Sequence, residues 1–105
     1  MSVSLNRERD EVEGIDLCIP VSTERFFREV WERAIEEVDT TYFREYNPFY
    51  KSQLGEVFNE LTQIKKWSIK NLSGTDLKYM SERTDEIFEQ LPNAFDREDA
   101  VLTLY

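Results

Sequence analysis

The chain has 105 residues, 22 Asp and Glu against 13 Lys and Arg, a single cysteine and no histidine, for a formal charge of −9. A chain of this length makes one domain, residues 1–105, with a folded surface of roughly 6,200 Å², or one net negative charge per roughly 700 Å². That balance argues against phosphate-led binding of nucleic acid and against anionic membranes, and it makes cationic partners the expected ones.

Cys18 has no second cysteine to pair with, so no intramolecular disulfide forms and nothing points to an oxidising compartment. The opening MSVSLNRERDEVEG is polar and charged and lacks the basic-then-apolar build of a signal peptide. The apolar runs are far shorter than the ~20 residues a membrane span requires. A soluble, cytoplasmic protein is expected.

Ser2 to Asn6 alternates, with Val3 and Leu5 on one side, which suits a short half-buried strand. Arg7 to Gly14 reads as a charged turn. Ile15, Leu17 and Ile19 alternate with Asp16 and Cys18 in a second strand that Pro20 is expected to end. These two strands make a hairpin with a long connection.

Val21 to Asp39 is the strongest pattern in the chain. Phe26, Phe27, Val30, Trp31, Ala34, Ile35 and Val38 line one side of a helix, and acids and arginines fill the other. Each large side chain in that stripe loses roughly 1.5–3 kcal/mol if left in water, so the rest of the chain must cover it. Ser22 or Thr23 caps the helix by accepting from a first-turn N–H. Glu24–Arg28, Glu29–Arg33, Arg25–Glu29 and Arg33–Glu37 are spaced as surface ion pairs. Glu36, Glu37 and Asp39 crowd the C-terminal end, where the helix dipole is already negative. That local conflict suggests the acids serve another purpose.

Thr40 to Tyr50 follows as an irregular connection with five aromatics, Tyr42, Phe43, Tyr46, Phe49 and Tyr50. Phe43 and Phe49 are expected to finish the core, whereas the tyrosines suit an interface equally well. A second helix runs from about Ser52 to Lys70, with Leu54, Val57, Phe58, Leu61, Ile64 and Trp67 inward, Ile69 at the margin, and Gly55 weakening its start. The third begins with Thr75 as cap, turns Leu77, Met80, Thr84, Ile87, Phe88 and Leu91 inward, and stops at Pro92. Phe95 packs back, and Asp99 to Tyr105 alternates as a last strand beside Ile15–Pro20, with Ala100, Leu102 and Leu104 inward. Helices and strands segregate along the chain. The fold class expected is α+β, three helices on a small antiparallel sheet of two or three short strands.

The chemistry is sparse. Lacking histidine, the chain has no ordinary base near neutral pH, no Ser-His or Cys-His pair and no common transition-metal ligand. Three glycines cannot build a phosphate loop or a dinucleotide fingerprint. Asp10, Glu11 and Glu13, or Asp96, Glu98 and Asp99, could hold calcium only weakly; neither set has the spacing of a calcium loop, and both read as solvated acids. A paired-carboxylate hydrolase requires two acids facing across a cleft, whereas here the acids sit on exposed helix faces. Cys18, in an alternating strand, is expected to pack as a small hydrophobe, and as a nucleophile it would lack a His partner. No enzyme, cofactor or metal is expected.

The acid excess is uneven. Residues 1–43 carry a net −6, residues 44–75 a net +2 and residues 76–105 a net −5. Acids therefore gather on the first helix and on Glu82, Asp85, Glu86 and Glu89 of the third, while Lys65, Lys66 and Lys70 gather on the second.

The stretch IDLCIPVSTERFFREVWERAIEEVD, a strand, a proline, a cap and an aromatic helix covering under a quarter of the chain, resembles the opening of small acidic immunity proteins of bacterial toxin–immunity systems, including contact-dependent growth inhibition. The resemblance implies a partner, a cognate toxin domain with a basic surface, such as a nuclease whose cleft holds phosphates. An acidic inhibitor would be steered to it by charge. The candidate partner-binding residues are then Glu36, Glu37, Asp39, Tyr42, Tyr46, Asp85, Glu86 and Glu89, on a protein expected to be a monomer. The alternatives are a dimeric adaptor that buries the aromatic connection against itself, a DNA mimic with carboxylates spaced like phosphates, and a small acid hydrolase.

Overall fold

The computed structural model describes residues 1–9, 12–96 and 99–105. Strands β1 (Ser2–Arg9) and β2 (Val12–Thr23) form an antiparallel hairpin, and β3 (Phe49–Tyr50) and β4 (Val101–Leu104) complete one sheet in the order β2-β1-β4-β3. Helix α1 spans residues 24–38, α2 is Leu54–Asn71 and α3 is Gly74–Ala94. The architecture is α+β as expected, with four strands rather than two or three.

The sheet departs from expectation in its pairing. β4 lies beside β1, with Leu5 opposite Leu104 and Arg7 opposite Leu102, and not beside β2. β2 is an edge strand, the position that tolerates a proline without an N–H. It accordingly runs through Pro20 to Thr23 instead of ending there. The register slips where Ser4 faces Pro20 and Val3 faces Ser22, which leaves Val21 as a bulge. The connection between the first two strands is also shorter than expected, since β1 reaches Arg9 and β2 starts at Val12.

Thr23 caps α1, its Oγ1 accepting from the Phe26 N–H at 3.3 Å. Phe27–Trp31 is a π-helical turn within α1, and Phe27, Val30 and Trp31 are all buried there. Of the four ion pairs expected on its wet face, Arg25–Glu29 forms at 3.1 Å and Arg28–Glu24 at 3.8 Å. Arg33 instead lies over the Trp67 ring, 5.4 Å from its centroid. Lys51–Gln53 makes a 3-10 turn ahead of α2. Ile69 faces solvent, 61% exposed, and Cys18, expected to pack as a small hydrophobe, is also exposed, on the edge strand β2. α3 starts at Gly74 after Ser73, not at Thr75, because Gly74 adopts φ 58° and turns the chain into the helix. Pro92 does not stop the helix, which continues to Ala94, since Leu91 and Ala94 are both fully buried and hold the last turn on the core.

Aromatic pairs stitch the layers. Trp31 meets Phe43 at 5.6 Å between ring centroids, Phe26 meets Tyr79 edge-on at 4.7 Å, and Phe58 stacks on Phe88 at 5.7 Å between α2 and α3. Each contributes about 0.5–1.5 kcal/mol beyond its buried area. Phe95 packs on Phe49 at 5.9 Å, and Ala100, Leu102 and Leu104 are buried as the alternation requires. The open edge of β2 is guarded by α3, where Arg83 donates to the carbonyls of Val21 at 3.1 Å and Pro20 at 2.6 Å. Covering edge carbonyls in this way discourages strand-to-strand association. Among the described residues, no helix is long and apolar enough to cross a membrane.

Candidate functional site

The connection between α1 and α2 is pinned from α2 by the side chain of Glu60. Glu60 on α2 accepts from three successive backbone N–H groups, Thr41 at 2.5 Å, Tyr42 at 3.0 Å and Phe43 at 2.8 Å. Phe43 and Phe49 are fully buried, and Thr40 Oγ1 donates to the Phe43 carbonyl at 2.8 Å. The segment then leaves the core. Tyr46 adopts φ 59°, donates its N–H to Leu104 O at 2.8 Å and stacks on Tyr105, yet is 73% exposed. A tyrosine in left-handed backbone is uncommon and costs of order 1 kcal/mol.

Asp39 ends α1 in the left-handed conformation, φ 62°, with its N–H on Ile35 O. Arg44 reaches back to donate to the Thr40 carbonyl and, at 3.3 Å, to Asp39 Oδ1. The connection thus supplies the cation that the C-terminus of α1 lacks in sequence.

Between the C-terminal half of α1 and this connection lies a cleft of about 330 Å³. Phe27 and Ile35 give it an apolar floor, and Glu32, Glu36, Asp39 and Glu45 line it against one guanidinium, Arg44. Arg28 stands behind, fixing Glu45 through two hydrogen bonds and Glu32 at 2.6 Å. The Glu45 bond, then the Glu32 bond, raises the Arg28 pKa above its already high value, so this cation never titrates in the working range. Glu36 has no hydrogen-bonding or ionic partner among the described residues.

Of the residues expected to bind a partner, Glu36, Asp39 and Tyr46 come to this end of the molecule. Glu37 points elsewhere, into a groove with Lys66, Lys70 and Trp67. Tyr42 is half-buried and packs on the core. On α3, Asp85 pairs with Lys65 at 2.6 Å and Glu86 with Arg83 at 2.5 Å, while Glu89 is exposed. The acidic faces of α1 and α3 therefore do not form one surface. α2 packs against both helices, and its lysines lie between them.

Sequence reasoning missed Glu32, Glu45 and Glu60. Glu32 carried a signal, sitting four residues before Glu36 on the same helical line, and Glu45 is the one acid among the connection's aromatics. Nothing local marked Glu60, whose partners lie 17 to 19 residues away.

No protein-family model, curated protein or solved structure matches this chain. Among the described residues, no three acidic or sulfur side chains converge as metal ligands. Asp10, Glu11, Glu98 and the Glu13 side chain, raised as acids for weak calcium binding, lie outside the described residues.

Proposed function

We propose that this chain is a binding protein without catalysis of its own, which docks onto a basic protein domain and neutralises it in the manner of a bacterial immunity protein. The observation that supports this reading best is the cleft beside α1, where four carboxylates outnumber one lining guanidinium over an apolar floor. Such a surface receives the methylenes of a lysine or arginine on Ile35, which Phe27 backs from the core, and its charge on Glu36 and Asp39. Tyr46, rigidly held and exposed beside it, has the amphipathic character that recurs at the centres of interfaces. The net −9 adds steering at long range.

The test is to co-express the chain with the product of the gene beside its own, which the reading requires to carry a basic domain, and to follow association by stopped flow at low and high salt. Growth is expected to be rescued, and the association rate to fall steeply with ionic strength. Glu36→Lys with Asp39→Lys is expected to slow association about ten-fold or more, and Glu89→Lys much less. Equal effects of the two charge reversals, or an association indifferent to salt, refute the reading.

The exposed Tyr46 and Tyr50, 73% and 48% exposed, favour one alternative, a homodimeric adaptor closing over these rings. Light scattering distinguishes them, since a stable dimer lost on Tyr46→Ala belongs to the adaptor.

A further inference from the structure

A second cleft, of about 420 Å³, is lined by β1, by Glu24 and Arg28 on the first turns of α1, and by Glu45 and Tyr46 of the connection. We propose that it takes an arginine side chain, donated by the basic partner; this rests on the docking reading above and names the group recognised.

The floor of the cleft is polar and unusually enclosed. Ser4 and Asn6 are 7% and 5% exposed. The Asn6 amide nitrogen donates to the carbonyls of Ser4 at 3.3 Å and Tyr105 at 3.4 Å. Both partners can only accept, so the amide's orientation is decided and its donors are spent. Asn6 Oδ1 and Ser4 Oγ find no hydrogen bond among the described residues. Among the described residues, the fully enclosed side-chain atoms without a partner are Trp31 Nε1 and Trp67 Nε1. Asn6 Oδ1 and Ser4 Oγ are therefore not sealed off, and they open into the cleft that both residues line. Two side chains more than nine-tenths buried thus hold unused acceptors toward an open space.

The walls select a cation. Tyr46 and Tyr105 stack 6.4 Å apart on one side. Glu24 and Glu45 stand at the end with Arg28, whose charge is already outweighed by Glu24, Glu32 and Glu45. A ligand here meets acceptors, aromatic rings and the carboxylates of Glu24 and Glu45, with the Arg28 guanidinium held between those acids. A guanidinium fits that set, because it is donor-only, planar enough to lie on a tyrosine face, and more weakly hydrated than an ammonium. The Arg28–Glu45 pair divides this cleft from the acidic one beside α1, Glu45 lining both. A basic segment crossing Tyr46 would reach the two clefts together.

The experiment is a titration of the ¹⁵N-labelled protein with acetyl-Gly-Arg-Gly-amide, followed by amide shifts. Saturable shifts are expected at Ser4, Asn6, Tyr46 and Tyr105. The citrulline peptide, equal in shape but neutral, is expected to bind about ten-fold more weakly, and the lysine peptide to fall between. Tyr46→Ala, an exposed position that does not threaten folding, is expected to weaken the arginine peptide about five-fold. Shifts confined to Glu36 and Asp39, equal binding of citrulline, or no saturation overturn the inference. If the peptide fails while salt-sensitive docking of the basic domain persists, the arginine pocket falls and the docking reading stands. If the peptide seats but no basic domain associates, the docking reading falls instead.

Discussion

Replacing Glu60 by alanine removes the acceptor for three consecutive backbone N–H groups, those of Thr41, Tyr42 and Phe43, at 2.5, 3.0 and 2.8 Å. The Thr41 bond is exposed, so water replaces most of it. The other two are partly buried, and a hydrogen bond to a charged acceptor contributes about 1.5–3 kcal/mol net. Taking the lower figure for each gives a loss of about 3 kcal/mol. For a domain of this size that lowers the thermal midpoint by roughly 12 °C or more. Glu60→Gln keeps one acceptor oxygen and is expected to lose about half as much. Urea unfolding followed by far-UV circular dichroism measures both, with the denaturant slope unchanged if the unfolded state is unaffected. The same change loosens the segment that positions Arg44, Glu45 and Tyr46, so association with a basic partner slows as well. A Glu60→Ala protein within about 0.5 kcal/mol of the parent would refute the pinning role.

Three other substitutions test the fold. Gly55→Ala is expected to stabilise by about 0.5–1 kcal/mol, because nothing lies within 4 Å of an added Cβ there; a lower urea midpoint would contradict it. Gly74→Ala meets equally open space but φ 58°, and is expected to cost about 1 kcal/mol by the same assay. Arg83→Ala removes the fork on Pro20 and Val21 and is expected to cost about 2 kcal/mol. It should also promote self-association through the uncovered edge of β2, which light scattering would detect.

Much of the helical layer was legible because its signals are local. The stripe from Phe26 to Val38, the Thr23 cap and the inward faces of α2 and α3 all follow from residues three or four apart. Where the reading slipped, a longer-range contact outweighed a local rule. Pro20 ends a central strand but not an edge strand, and only the sheet order β2-β1-β4-β3 makes β2 an edge. Pro92 stops an isolated helix, yet Leu91 and Ala94 hold the last turn against the core. The acids crowded at the end of α1 conflict with the dipole until Arg44 arrives from the connection.

By itself the sequence determined the α+β class, the three amphipathic helices, the burial of Phe43 and Phe49, and the excess of carboxylate over a chain poor in reactive groups. Only the tertiary structure decided that Glu36 and Asp39 share a cleft with Glu32 and Glu45 while Glu37 turns toward Lys66 and Lys70. It alone separated the acidic faces of α1 and α3, and it brought Asn6 to within hydrogen-bonding reach of Tyr105 O, 99 positions away. The reason is physical. Periodicity records which side of an element is wet, but which wet sides meet depends on how the elements pair, and that choice is made by burial and backbone hydrogen bonds summed over the whole domain.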